Sequence, residues 1–275
     1  MTQKLKYLSR IKDEFDTVIC GVNGVFMCGD QINDMAVRTL IKLYQSGKKV
    51  ALASNTGMRV RDLYYVLKQK DVPMNIFYAM ITAGEIAHFY LKNTQSLGRS
   101  YFNLAGGESK VAAGLDYSVA DSMVLADFVL AESSSHNIST AEAMPLLEQA
   151  LHLQLPFLCV GNNTSCVSAH GVTESIGAVA EQYAMMGGKI IPIGKPDVRI
   201  AGYLAEGMQG FWTPRCLVVG DDMATDMRMG NTFGAKTLLI GNGVHQLTDN
   251  IEKRLNDLSA DYGLNVDYVT ETLVW

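Results

Sequence analysis

Long apolar runs are missing from this sequence: none of its 275 residues lies in an apolar stretch approaching the ~18 that would suggest a membrane-spanning helix. The opening MTQKLKYLSRIKDEF lacks the apolar centre of a secretory leader, so a cytoplasmic location is the expectation. Basic clusters are missing too. With 23 Lys and Arg against 28 Asp and Glu, the formal net charge is −5, which gives no electrostatic footprint for nucleic acid and no polybasic surface for a membrane. Cysteine is sparse: there are five, at 20, 28, 159, 166 and 216, an odd number without CxxC spacing. That argues against both a disulfide framework and a zinc site. Cys20, Cys159 and Cys216 sit inside apolar runs and read as core residues. Internal repeats and low-complexity tracts are absent as well.

What is there is ordinary globular composition, 48% apolar and 19% charged, in a chain long enough for two modest domains or one large one. An amphipathic helix is expected over residues 3–14 and a buried strand over 17–22. A helix follows from Asp34, ended by Gly47, then strand Val50–Ala53, a helix from Val60 to about Lys70, and strand Phe77–Ile81. Thr82 reads as the N-cap of the next helix, with Glu85 as its reciprocal partner in a capping box. This alternation is that of an α/β doubly wound parallel sheet.

The pattern loosens after Leu91, and Asn93–Ser100 reads as a linker. A second α/β unit is expected from strands Tyr101–Leu104, Asp127–Ala131 and Pro156–Val160, helix Thr140–Leu151, and a helix Val172–Met186 ended by Gly187-Gly188. The first pattern then resumes with strand Ile190–Ile193, helix Pro196–Glu206, strand Leu217–Val219, helix Asp226–Gly230, strand Lys236–Ile240, helix Thr248–Leu258 and a last strand near Val266–Val269. The expected division is residues 1–91 and 188–275 as one domain, with residues 92–187 inserted into it as an α/β cap.

Four apolar runs end in glycine or polar residues: Val18–Phe26, Lys49–Asn55, Ile190–Lys195 and Cys216–Asp221. In an open parallel sheet such strand ends converge on one crevice, where ligands bind. Taken in order, Ser54-Asn55, Gly194-Lys195-Pro196 and Gly220-Asp221-Asp222-Met223-Ala224-Thr225-Asp226, with Thr82-Ala83-Gly84-Glu85 and Gly171…Gly177-Ala178, resemble the second, third and fourth motifs and subfamily features of the haloacid dehalogenase (HAD) superfamily, class IIA. That class carries a type-2 α/β cap between its second and third motifs. The first motif departs from the family pattern Asp-x-Asp-Gly-Val: this chain reads Gly21-Val22-Asn23-Gly24-Val25. Gly24, Val25 and Gly29 fix the alignment. Asp16 lies at the other end of the strand, and Asp30 is too far beyond the loop.

The resemblance implies a phosphate-monoester phosphatase scaffold. In active relatives the first aspartate attacks phosphorus and the second acts as general acid and base. A magnesium ion is held by the first carboxylate, the second residue's main-chain carbonyl and a fourth-motif aspartate. Carried over to this chain, the degenerate catalytic positions are Gly21 and Asn23. The phosphate-binding residues are Ser54, Asn55 and Lys195, and the metal residues are Asp221, Asn23 and Asp226. Gly21 removes the nucleophile, and an asparagine amide exchanges no proton near neutral pH. Hydrolysis is therefore expected to be lost or strongly impaired, with magnesium weakened or absent. A crevice for inorganic phosphate or a phosphorylated small molecule should remain, because two negative charges beside the phosphate position are gone.

Other accounts of the same residues stay open. Lys195 could be a solvated loop lysine, Ser54 and Asn55 plain turn residues, and Asp221, Asp222 and Asp226 first-turn helix acids. His136-Asn137 and Asn162-Asn163 face either a substrate pocket or solvent as surface loops, the latter being the simpler account. Cys28 as a replacement nucleophile lacks a histidine at a recognisable spacing. Two further functions remain: a phosphatase using an unconventional nucleophile such as water activated by Asp221 and a metal, or a non-catalytic, self-associating structural protein. A homodimer is the assembly that the resemblance suggests.

Overall fold

In the computed structural model, residues 2–134, 138–208, 215–247 and 250–275 are described. Two parallel sheets organise the chain. The first has seven strands in the order Gln3–Lys4, Tyr268–Thr270, Lys236–Ile240, Cys216–Gly220, Thr17–Cys20, Lys49–Ser54 and Phe77–Thr82. Every neighbouring pair is parallel. Thr17–Cys20 is a four-residue run with no exposed member, as a strand buried on both faces requires. It lies between Cys216–Gly220 and Lys49–Ser54, so the loops leaving these three strands open at one end of the sheet.

The second sheet runs Ile190–Ile193, Phe157–Val160, Phe128–Glu132, Ser100–Asn103, Ser118–Val119, again all parallel. Ile190–Ile193 thus corrects the sequence reading: it pairs with Phe157–Val160 rather than resuming the first pattern. An apolar run specifies burial but not which parallel neighbour it joins.

Three local readings also change. Residues 3–14 form no amphipathic helix: Gln3–Lys4 pairs with Tyr268–Val269, and only Leu8–Ile11 makes a short 3-10 turn. Edge pairing outcompetes a short isolated helix, which is marginal by itself. Residues 165–174 form a hairpin, Ser165–Ser168 against Gly171–Glu174, and the helix begins only at Ile176. The third is the capping box. Thr82 Oγ1 accepts the Glu85 N–H at 3.0 Å, but the Glu85 carboxylate turns to Arg59, at 2.8 and 2.7 Å, and to the Val60 N–H at 3.1 Å. It thereby caps the neighbouring helix Val60–Gln69. Asp34–Gln45 and Ala83–Asn93 start at the expected residues, whereas the helix expected from Pro196 begins only at Arg199, and the one expected over Asp226–Gly230 is divided between a π-helical turn Met223–Met227 and a helix Arg228–Phe233. Thr248, the expected start of the last helix, lies outside the described residues, and that helix runs Ile251–Tyr262.

One hydrophobic cluster belongs to both sheets. It joins Ile19, Ala51 and Val218 of the first to Phe128, Leu130 and Leu158 of the second, with Ile86, Ala87 and Leu91 of helix Ala83–Asn93. That helix touches strands of both sheets. Among the described residues no helix is long and apolar enough to cross a membrane.

Candidate functional site

The loops leaving Thr17–Cys20, Lys49–Ser54 and Cys216–Gly220 meet at a small cavity of about 40 Å³. Its walls include Asn23, Ser54, Asn55, Lys195, Asp221 and Asp226. Every residue to which the sequence reading gave a phosphate or metal role is therefore gathered here. Gly21 sits at the strand end, its N–H donating to Val219 O at 2.8 Å. A Cβ built on it would stand 3.4 Å from Asp226 Oδ1 and 3.2 Å from Val25 Cγ2. A side chain at 21 would need Val25 to give by a few tenths of an ångström and would start beside Asp226. Asn23 is exposed.

Asp221 is wedged against backbone. Gly24, at φ +75°, leaves it room: a Cβ there would lie 1.8 Å from Asp221 Oδ2, which accepts the Val244 N–H at 3.1 Å. Burial, then the neighbouring charges of Asp226 and Asp222, push the Asp221 carboxyl up to about 8. Asp226 is buried beside it in an ion pair with Lys195, Nζ to Oδ1 2.6 Å. Burial works to strip Lys195 of its proton. Asp226, with Asp221 and Asp222 beyond it, outweighs that and holds the lysine above its ordinary value. Lys195 is thus a buried cation, not a solvated loop lysine.

Lys195 arrives from the end of Ile190–Ile193, a strand of the second sheet, and Asn55 docks it. Asn55 Oδ1 accepts the Lys195 N–H at 2.6 Å, while its Nδ2 donates to Asn162 Oδ1 at 3.2 Å and Asn163 Oδ1 at 2.6 Å. Asn163 Nδ2 in turn donates to Asp222 Oδ2 at 2.5 Å and Thr225 Oγ1 at 3.2 Å. These two asparagines are no free surface loop: they tie the second unit to the first around the cavity. Asp222 also caps its own turn, accepting the Ala224 N–H at 2.8 Å. Ser54 Oγ accepts the Thr56 N–H at 3.3 Å and lines the cavity as well. His245 was missed by sequence reasoning; its Nε2 accepts the Met223 N–H at 3.0 Å. No spacing signal marked it. His136 and Asn137 lie outside the described residues.

Cys28 is half-buried, and burial, then Asp221, then Cys166 raise its thiol pKa. A thiol made less acidic is a poor nucleophile, as its spacing had suggested. Ser175 has a different peculiarity. It is 1% exposed and lines the cavity, and its Oγ has no hydrogen-bond partner. A buried hydroxyl left so costs about 1–3 kcal/mol.

The HAD-hydrolase-like family model matches residues 192–272. Phosphoglycolate phosphatase 2 of Arabidopsis thaliana is 25% identical over 279 residues, covering 91% of this chain and 90% of that one. Glycerol-3-phosphate phosphatase of Gallus gallus is 24% identical over 291 residues, covering 94% and 89%. A haloacid dehalogenase-like hydrolase from Brucella suis superposes with a TM-score of 0.82 at 22% identity, over 98% of this chain and all (100%) of the other. The chain has the HAD-like fold, and its residues 192–272 carry the match to the HAD-hydrolase-like family model. The p-nitrophenyl phosphatase of Archaeoglobus fulgidus, with a TM-score of 0.67 at 20% identity over 94% and 96% of the chains, shares the same fold.

Proposed function

We propose that this HAD-superfamily protein keeps a phosphate-binding crevice and has lost, or nearly lost, hydrolysis. The observation that carries the reading is the end of the strand Thr17–Cys20: Gly21 offers no side chain, and the nearest carboxylate oxygen, Asp226 Oδ1, is held by Lys195 at 2.6 Å. No acid is free to strike phosphorus there. Ser54, Asn55 and Lys195 supply the anion side, with the lysine kept charged by its acidic neighbours. The relatives named for phosphoglycolate and glycerol 3-phosphate point to small phosphorylated molecules as the ligand class.

Family resemblance implies magnesium, and the donor set here does not fit a resident ion. Mg²⁺ takes near-octahedral oxygen ligands, commonly one or two carboxylates plus substrate phosphate and water. Asp226 is engaged by Lys195, Asp221 already accepts a backbone N–H, and position 21 contributes nothing. Among the described residues no group of three or more His, Cys, Asp or Glu side chains is placed to hold a metal. Phosphate binding is accordingly proposed to need no magnesium. Because Ile190–Ile193 pairs within the second sheet, the proposed cap ends at Ile193 rather than at Gly187.

A second reading rests on Asp221: with its carboxyl titrating at about 8, the minority carboxylate form present near neutral pH is basic enough to take a proton from water, and increasingly so as pH rises. Calorimetric titration with inorganic phosphate, with and without magnesium, and hydrolysis of para-nitrophenyl phosphate by three proteins separate the readings. Expected are micromolar to sub-millimolar phosphate binding indifferent to magnesium, no turnover by the wild type, and turnover gained only by Gly21→Asp/Asn23→Asp. Wild-type turnover abolished by Asp221→Asn supports the second reading instead. Failure of every form to bind or hydrolyse leaves only a structural role.

A further inference from the structure

Ser175 takes no part in the phosphate-binding roles above. It occupies the N-cap position of the ten-residue helix Ile176–Met185 without capping it. An N-cap serine ordinarily turns its hydroxyl onto the first free helix N–H groups. Here loop backbone does part of that work: the Gly177 N–H donates to Asn163 O at 3.0 Å, and the Ser175 N–H donates to Thr164 O at 2.9 Å. The residue lines the cavity, and its hydroxyl is the one buried side-chain nitrogen or oxygen without a partner among the described residues. Buried polar groups in folded proteins are nearly always satisfied, so an orphan in a cavity wall marks a place where something else supplies the bond.

The surroundings say what that something is. Ser133, Asn163, Ser165 and Cys166 line the same cavity. Its described lining has no aromatic ring, and Lys195 is its one cation. The positive end of the helix dipole lies at Ser175 and favours an acceptor over a donor.

We propose that Ser175 Oγ donates a hydrogen bond to an oxygen acceptor, hydroxyl or carboxylate, on the organic end of a short phosphate ester whose phosphate lies against Ser54 and Lys195. This rests on the phosphate-binding reading and makes Ser175 a specificity-determining residue of that site. Ser175 thereby favours esters with an oxygen acceptor close to the phosphate over aryl phosphates, which offer none there.

Calorimetric titration of wild type, Ser175→Ala and Ser175→Thr with inorganic phosphate, glycerol 3-phosphate, 2-phosphoglycolate and phenyl phosphate tests this. The wild type should bind at least one of the two oxygenated esters about tenfold or more tighter than phenyl phosphate, and which one distinguishes hydroxyl from carboxylate. Ser175→Ala should lose that tenfold, about 1.4 kcal/mol, with inorganic phosphate affinity unchanged, and Ser175→Thr should retain most of it. Without ligand, Ser175→Ala should melt at or above the wild-type temperature, since it removes an unsatisfied hydroxyl. A lower melting temperature would mean that the hydroxyl caps the helix, and overturns the proposal. So does equal ester affinity in wild type and Ser175→Ala while inorganic phosphate still binds. Loss of inorganic phosphate binding in the wild type overturns the underlying reading, and this proposal with it.

Discussion

Lys195 and Asp226 have side chains only 6% and 2% exposed, with their charged atoms 2.6 Å apart. Breaking such a pair from one side strands a buried charge. Lys195→Met should cost roughly 3–5 kcal/mol and abolish phosphate binding, whereas Lys195→Met/Asp226→Leu should recover much of the stability but none of the binding. Urea midpoints and phosphate titrations check both. Asp221 gives a pH dependence of opposite sense to an ordinary ion pair. Its carboxyl titrates at about 8 when folded, against 3.8 for an unperturbed aspartate. Between those values the unfolded chain has released the proton and the folded chain keeps it. Asp221 therefore lowers stability progressively as pH rises from about 4 to about 8. Asp221→Asn should flatten that slope in melting temperature against pH, with its largest gain at the alkaline end. Phosphate affinity should also fall above about pH 8, where Asp221 becomes a negative charge in the cavity wall beside the Lys195–Asp226 pair.

At the scale of elements, caps and close neighbours decide where helices begin. Asn33 Oδ1 accepts the N–H groups of Met35 and Ala36 at 3.1 and 3.2 Å, so Asn33→Ala should destabilise by about 1 kcal/mol, read from chemical denaturation. Glu85 shows why such reasoning from sequence is incomplete. The Thr-x-x-Glu spacing was legible, but Arg59 and the Val60 N–H, neighbours only in space, outcompete the local backbone for its carboxylate. The hairpin at 165–174 has the same origin. Val172, Ile176 and Val179 follow helical spacing, yet Val172 pairs with Val167 across a turn at Ala169-His170. Apolar spacing alone cannot report a ladder partner.

For the molecule as a whole, the shared cluster of Ile19, Ala51, Phe128 and Leu158 makes the two sheets one stability unit. Unfolding should follow a single transition, with near- and far-ultraviolet circular dichroism coincident. Leu158→Ala, in the second sheet, should lower that one midpoint by about 2–5 kcal/mol in stability rather than detach a separate phase. Two resolved transitions would show that the sheets fold independently.

By itself the sequence determined which chemical groups end each strand, because that follows from residue identity and local order. Gly21 and Asn23 after the first buried strand, the Ser54-Asn55 turn, and the Asp221-to-Asp226 spacing were all readable there. Tertiary structure alone decided that Lys195 comes from the second sheet, that Asn163 reaches Asn55 across 108 residues, and that Ser175 and His245 stand where they do. The reason is physical: partners in space are chosen by packing of whole elements, and burial, which sets the charge of Asp221 and strands the Ser175 hydroxyl, exists only once they have packed.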